Sequence, residues 1–285
     1  MEVLRADVMG FCFGVRDAVA AALATDAPEA VTIHGELVHN EAVQAALAAR
    51  GFAALGEDAR DGVLPPTPRV LVTAHGISDR ERARLRGAGK TLIDTTCPLV
   101  RNAHRAAQRL IAEVRHLVVI GRAGHVEVRG LVEDAPSHDV IGSVREARAL
   151  PHARLGVVCQ TTVPPDEAFA VLAALRAANP DADLRFADTI CEPTRQRLAA
   201  VEALAPMVDA MVVVGGKTSN NTQKLAHLAA SLGAKTVHVQ DATELDPEFF
   251  AGCRRVGLTA GTSTPDAVID AVAAALAGIA VEVPS

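Results

Sequence analysis

The sequence predicts an α/β protein of three small pseudo-repeated units, each a parallel sheet flanked by helices. Three observations carry that expectation. Short apolar, β-rich runs alternate with Ala- and Leu-rich amphipathic stretches, as in RVLVTAHG then SDRERARLRGAG, and MVVVGGKTS then NTQKLAHLAASLG. Such alternation is the pattern of parallel strands joined by helical crossovers. It comes in three rounds, opening near Cys12, Cys97 and Cys191, and at each opening a cysteine ends an extended segment and a helix follows: DVMGFCFGVRDAVAA, TLIDTTCPLVRNAHRAAQRL and RFADTICEPTRQRLAAVEAL.

The domains expected from this spacing are 1–96, 97–190 and 191–285. Pro98 occupies a first helical position and Pro193 nearly does, which fits helix starts at both places. A thiol at a helix N-terminus meets the positive end of the macrodipole, which favours the thiolate, the form that binds metal. Three such thiols, one per unit, can converge on a pseudo-threefold axis, and three thiolates leave the fourth iron of a cubane cluster open to substrate. Cys159, at the end of RLGVVCQTT, and Cys253, in the polar loop FFAGCRRVG, read as packing residues.

Composition narrows the function classes. The 285 residues are 49% hydrophobic, enough for a substantial core. With 28 basic against 34 acidic residues, a formal charge of -6, no Trp or Tyr and only seven Phe, the chain lacks the basic, aromatic surface that holds nucleic acid. No apolar run approaches the roughly 20 residues that span a bilayer, and no export signal is recognisable, so a cytoplasmic protein without a membrane partner is expected. Five cysteines, an odd number with no C-x-x-C pair, are then reduced thiols or metal ligands drawn from distant segments.

Ligands of open parallel sheets bind beyond the carboxyl ends of strands. Following each apolar run to its end collects ELVHN (His39, Asn40), TAHGIS (His75), GRAGHVEV (His125, Glu127), CQTT (Thr161, Thr162), GGKTSNNT (Ser219, Asn220, Asn221) and TAGTSTPD (Thr262, Ser263). Hydroxyls, amides and imidazoles beside glycines and helix starts suit a diphosphate. Ser219 and Ser263 read equally well as helix caps. His34, His104, His116, His138, His152, His227 and His238 read as structural. Glu127 is the one carboxylate of the set, hence the natural proton donor.

In order along the chain, GFCFGV, LVHN, AHGIS, DTTCPLV, GHVEV, QTT, DTIC, GGKTSNNT and AGTSTP make the sequence resemble the LytB/IspH family of 4-hydroxy-3-methylbut-2-enyl diphosphate reductases, over nearly its whole length. The resemblance implies three α/β domains around a central 4Fe-4S cluster held by Cys12, Cys97 and Cys191, with one iron not ligated by cysteine. It implies diphosphate binding by His39, His75, Ser219, Asn220, Asn221 and Ser263 with His125 nearby, and a proton path through Thr161 and Glu127. The implied reaction is reductive removal of the substrate hydroxyl, giving isopentenyl and dimethylallyl diphosphate at the end of the methylerythritol phosphate route, with electrons from an external ferredoxin- or flavodoxin-type donor. The chain departs from the family pattern at Asn220, where a second serine is common, and at Pro193, where a small residue is usual. Two other readings are a cluster-dependent reductase or dehydratase for another phosphorylated alcohol, and a cluster-based oxygen or iron sensor; the latter leaves Glu127 and the diphosphate set without a role.

Overall fold

Short extended runs, most of them rich in Val, Ile and Leu, form the strands of a computed structural model that describes residues 1–60 and 62–279. The strands are β1 (Glu2–Arg5), β2 (Val31–His34), β3 (Ala53–Leu55), β4 (Arg69–Val72), β5 (Thr91–Asp94), β6 (His116–Ile120), β7 (His138–Ile141), β8 (Arg154–Cys159), β9 (Asp183–Phe186), β10 (Ala210–Val214), β11 (Lys235–Val239) and β12 (Arg255–Ala260). The helices are α1 (Phe13–Leu23), α2 (Glu41–Ala49), α3 (Asp79–Gly87), α4 (Pro98–Ala112), α5 (Val126–Val132), α6 (Pro165–Ala178), α7 (Glu192–Leu204), α8 (Asn220–Ser231) and α9 (Asp266–Gly278). The last positions of the expected third domain, 280–285, lie outside the described residues.

Three four-stranded sheets result, ordered β3-β2-β4-β5, β7-β6-β8-β9 and β11-β10-β12-β1, and every pairing is parallel. All three follow one plan, with strands in the order second, first, third, fourth. In the last of them the fourth strand is β1, in register with β12 from Glu2↔Arg255 to Arg5↔Leu258. The strands between the cysteines are β2–β5, β6–β9 and β10–β12, so the one departure from the expected rounds is β1, which joins the last sheet. β5, β9 and β1 are the fourth strands of their sheets, and each cysteine follows such a strand and precedes the helix that opens the next round. Alternation along a sequence specifies strands and helices but not which edge a terminal strand joins, which is why β1 reads from sequence as part of 1–96.

The described chain divides into two units. One comprises Met1–Arg16, His39–Ala45 and residues from Glu192 onward. Its strand β10 is apolar throughout because both faces are covered: Val212 and Val214 pack with Phe250, Leu258 and Val272, while Met211 and Val213 pack with Leu198, Val201 and Leu225. The other unit, Asp17–Val38 with Ala46–Cys191, holds the remaining two sheets. There Leu155, Val157 and Cys159 of β8 face a core containing Leu172 and Leu175 of α6. On its other side Val158 meets Ala103, Ala107 and Leu110, the buried stripe of α4 at helical spacing. Cys253, expected in a polar loop, is buried against the core with Phe250. The segment ELVHN, expected as a strand end, is instead the connection from β2 to α2, because β2 stops at His34 and Gly35 turns the chain with φ +107.

Gly10 ties this fold to the first cysteine. Its φ is +70, and a Cβ there would lie 2.7 Å from Ile269 Cδ1. Its carbonyl accepts a 2.6 Å hydrogen bond from the buried Arg197. We therefore expect Gly10→Ala to lower stability by about 2–4 kcal/mol, from the left-handed backbone and the overpacked core together, as read by urea denaturation; an unchanged midpoint would show that the turn relaxes freely.

Candidate functional site

In a sheet whose strands run second, first, third, fourth, the connections leave opposite faces at the carboxyl ends of the first and third strands, and the crevice between them is where ligands bind. Every candidate ligand residue lies in the stretch of chain that follows such a strand. After the first strands come His39 and Asn40 (β2), His125 and Glu127 (β6), and Ser219, Asn220 and Asn221 (β10). After the third strands come His75 (β4), Thr161 (β8) and Ser263 (β12). The cysteines follow the fourth strands, and each cysteine amide donates to the turn after the third strand of its own sheet: Cys12 to Thr262 O at 3.2 Å, Cys97 to Ala74 O at 3.1 Å and Cys191 to Thr161 O at 3.0 Å. All three are half-buried and none is in a disulfide.

Within the unit of residues 46–191, the centre of the site is Glu127, in the first turn of α5 and 2% exposed. Its carboxylate accepts the Thr161 amide at 2.6 Å and the Thr161 hydroxyl at 2.9 Å. Burial pushes its pKa up from 4.5 to about 7, a lift that the two Thr161 hydrogen bonds oppose and do not cancel. His125 caps α5 by accepting the Glu127 amide on Nδ1 at 3.1 Å, which leaves the proton of the neutral ring on Nε2. The His75 ring stands edge-on to it, centroids 5.8 Å apart. Cys97 is the N-cap of α4, with Pro98 as the first helical residue, and its side chain makes no capping hydrogen bond. Thr161 is thus a junction whose hydroxyl and amide hold the acid while its carbonyl holds the Cys191 amide.

In the other unit the Cys12 carbonyl accepts the Arg16 amide at 2.9 Å, the first bond of α1. Thr262, which receives the Cys12 amide, donates its own amide to Asn221 Oδ1 at 2.9 Å. Asn221 is 2% exposed, and its Nδ2 finds no hydrogen-bond partner among the described residues. Ser219 is the N-cap of α8, accepting the Thr222 amide at 3.3 Å, so the capping expectation holds while its O–H remains a donor. Ser263 caps nothing: α9 begins after Pro265, and the Ser263 hydroxyl donates to the His39 carbonyl at 3.0 Å. Asn40 caps α2 through Val43 at 3.1 Å.

Arg197 is the functional neighbour that sequence reasoning missed. It is 3% exposed and bonds both Pro193 O and Gly10 O, bracing the turn before Cys12. A single arginine in an amphipathic helix carries no signal of burial. Pro193 sits in the first turn of α7 without breaking it. Cys159 and Cys253 are buried, as packing residues are. His34 behaves as a structural histidine, fully buried with Nε2 on Glu81 at 2.9 Å, and burial drops its pKa to about 4. No helix among the described residues is long and apolar enough to cross a membrane.

Comparison with known proteins gives one consistent result. The LytB protein family model matches residues 3–277. The chain is 38% identical over 288 positions to the 4-hydroxy-3-methylbut-2-enyl diphosphate reductase of Anaeromyxobacter sp. (strain Fw109-5), covering 98% of each. It is 35% identical to that of Aquifex aeolicus (strain VF5), covering 95% of this chain and 94% of the relative. Among solved structures, the E-1-hydroxy-2-methyl-but-2-enyl-4-diphosphate reductase of Plasmodium falciparum matches with a TM-score of 0.86 at 26% identity, over 94% of this chain and 86% of that one. A structure of (E)-4-hydroxy-3-methyl-but-2-enyl diphosphate reductase, the terminal enzyme of the non-mevalonate pathway, matches with a TM-score of 0.66 at 33% identity, over 98% and 100%. Since the likeness extends through all three sheets and every turn that carries a candidate residue, the chain belongs to the LytB protein family.

Proposed function

We propose that this chain reduces 4-hydroxy-3-methylbut-2-enyl diphosphate to isopentenyl and dimethylallyl diphosphate, the last step of the non-mevalonate, or methylerythritol phosphate, route. Two electrons and two protons replace the hydroxyl by hydrogen and release water. The observation that carries the reading is the buried Glu127 carboxyl, bonded to Thr161, whose carbonyl in turn holds the amide of Cys191. The three domains of this enzyme are proposed at 1–96, 97–190 and 191–285, with β1 contributed to the sheet of the last.

The donor set suits an iron–sulfur cofactor. Cys12, Cys97 and Cys191 are half-buried cysteines outside any disulfide, at equivalent places in one repeated plan, and soft thiolates select such clusters. Among the described residues no group of three or more His, Cys, Asp and Glu side chains is disposed to hold a single metal ion; a cubane makes no such demand, because each thiolate binds its own iron. When bound on these three cysteines, a 4Fe-4S cluster with one iron not ligated by cysteine supplies the electrons singly, from a ferredoxin- or flavodoxin-type donor, and a Lewis-acidic position for the leaving oxygen.

The protein's own groups do the rest. The free Nδ2–H of Asn221 and the O–H of Ser219 are donors awaiting acceptors, which suits phosphate oxygens; His39, His75, His125, Asn220 and Ser263 complete the proposed diphosphate set, and the held diphosphate orients the reacting carbon. Protonated Glu127 donates to Thr161 Oγ, which frees the threonine proton for the leaving hydroxyl. An acid near pKa 7 is matched to donation at neutral pH.

Variants of three kinds, and the pH dependence of the wild type, test this. Cys12→Ser, Cys97→Ser and Cys191→Ser, purified anaerobically, each lose bound iron and sulfide, whereas Cys159→Ser and Cys253→Ser keep them; a fully loaded Cys12→Ser protein would remove the ligand assignment. Asn221→Ala weakens substrate binding by about 1.5–3 kcal/mol in calorimetry, the scale of a hydrogen bond to a charged group, and equal affinity for the unphosphorylated alcohol would contradict a diphosphate pocket. Glu127→Gln binds substrate as wild type does but turns over roughly 10²-fold more slowly. Wild-type turnover falls as pH rises through about 7, where Glu127 loses its proton. Since the folded value lies above 4.5, the stability contributed by the protonated carboxyl is complete below about 4.5 and is lost as pH rises through about 7; Glu127→Gln removes that dependence, and normal turnover in this variant would place the proton source elsewhere.

A further inference from the structure

The chain carries a net charge of -6, yet one face of α3 and α4 is strongly basic. Arg82 and Arg86 of α3 and Arg101 and Arg105 of α4 surround a recess of about 390 Å³, with Asp79 and Asp94 as the carboxylates of its lining. Asp94 neutralises two of the four, at 2.6 Å from Arg82 and 3.2 Å from Arg101. Arg86 and Arg105 are exposed and have no ion-pair partner among the described residues. Exposed Arg109 lies one further turn along α4. Arg82 and Arg86, and Arg101, Arg105 and Arg109, stand four apart on their helices, a like-charge spacing that costs each helix a little stability. Arg101 lies one turn, about 6 Å of helix rise, from Cys97, the N-cap residue of α4.

We propose that this α3–α4 face docks a small acidic electron-carrier protein, which approaches by complementary charge and delivers one electron per encounter near Cys97. The proposal rests on the reductase reading above. Two encounters supply the two electrons of one turnover; the carrier is oxidised by one electron each time, and a cluster held by Cys97 would take that electron. Weak redox complexes of this kind bury little area and depend on charge for encounter, so they are salt-sensitive.

The test uses the anaerobically purified holoenzyme, an acidic ferredoxin as carrier and dithionite-reduced methyl viologen as the small reductant. For Arg86→Glu/Arg105→Glu, calorimetric binding of oxidised ferredoxin at about 20 mM salt weakens at least tenfold, and turnover at subsaturating ferredoxin falls equally. Viologen-driven turnover and iron content stay at wild-type values. Arg86→Gln/Arg105→Gln shows an intermediate loss, and about 300 mM salt brings the wild type down to the level of the charge-reversed variant. Unchanged ferredoxin affinity in the variant overturns the proposal, as does an equal loss of turnover with both reductants. A wild-type protein that binds ferredoxin through these arginines but gives no viologen-driven turnover leaves the docking face standing and overturns the reaction assigned above.

Discussion

The backbone hydrogen bond from each candidate cysteine to the turn after the third strand of its sheet is the contact on which the rest of the site depends. Each of these cysteines follows the short fourth strand of its sheet, where pairing ends. The N–H bonds to Thr262, Ala74 and Thr161 extend the ladder beyond the strand and fix the thiol at the mouth of the next helix. Those acceptors lie in the turns that also carry Ser263, His75 and Thr161. A shift of any one turn therefore moves a thiol and a candidate ligand-binding side chain together, which is how a repeated backbone plan keeps chemically different groups in step.

Much of this was legible in sequence. Alternating periodicity marks all three sheets, because a strand covered on both faces must be apolar at every position, as AMVVV is in β10. The helix-opening cysteines were legible for the same local reason, and Glu127 stood out as the lone carboxylate among strand-end groups. What could not be read depends on contacts distant in sequence. The pairing of β1 with β12 joins Glu2 to Arg255, and no local pattern specifies such a partner. The Arg197 to Gly10 bond spans 187 positions. Nothing in TAGTSTPD tells that Ser263 bonds the His39 carbonyl instead of capping a helix, since a serine reads the same in either role.

The polar groups of the site are held in states that the protein alone does not satisfy. An unmatched buried donor costs about 1–3 kcal/mol, and Asn221 Nδ2 is one. Glu127 bears the opposite burden: two hydrogen bonds favour its ionised form, yet removal from water outweighs them and keeps the proton within reach of neutral pH. Both costs fall in the first turns of α5 and α8, while the strands behind them are apolar and well packed. Such a division lets a rigid scaffold hold chemical groups in states they would not adopt in water.

The closing of the C-terminal sheet by β1 also orders events during synthesis. β1 is made before every other described strand, and β12, its partner, after all of them. The two sheets that end in Cys97 and Cys191 are assembled from consecutive strands and can form as the chain emerges. The segment leading to Cys12 must wait, its edge unpaired, until the last strand is complete. Of the three thiols, the first to be synthesised is thus the last to reach its native setting, so a metal centre that needs all three can be built only once β12 has been made.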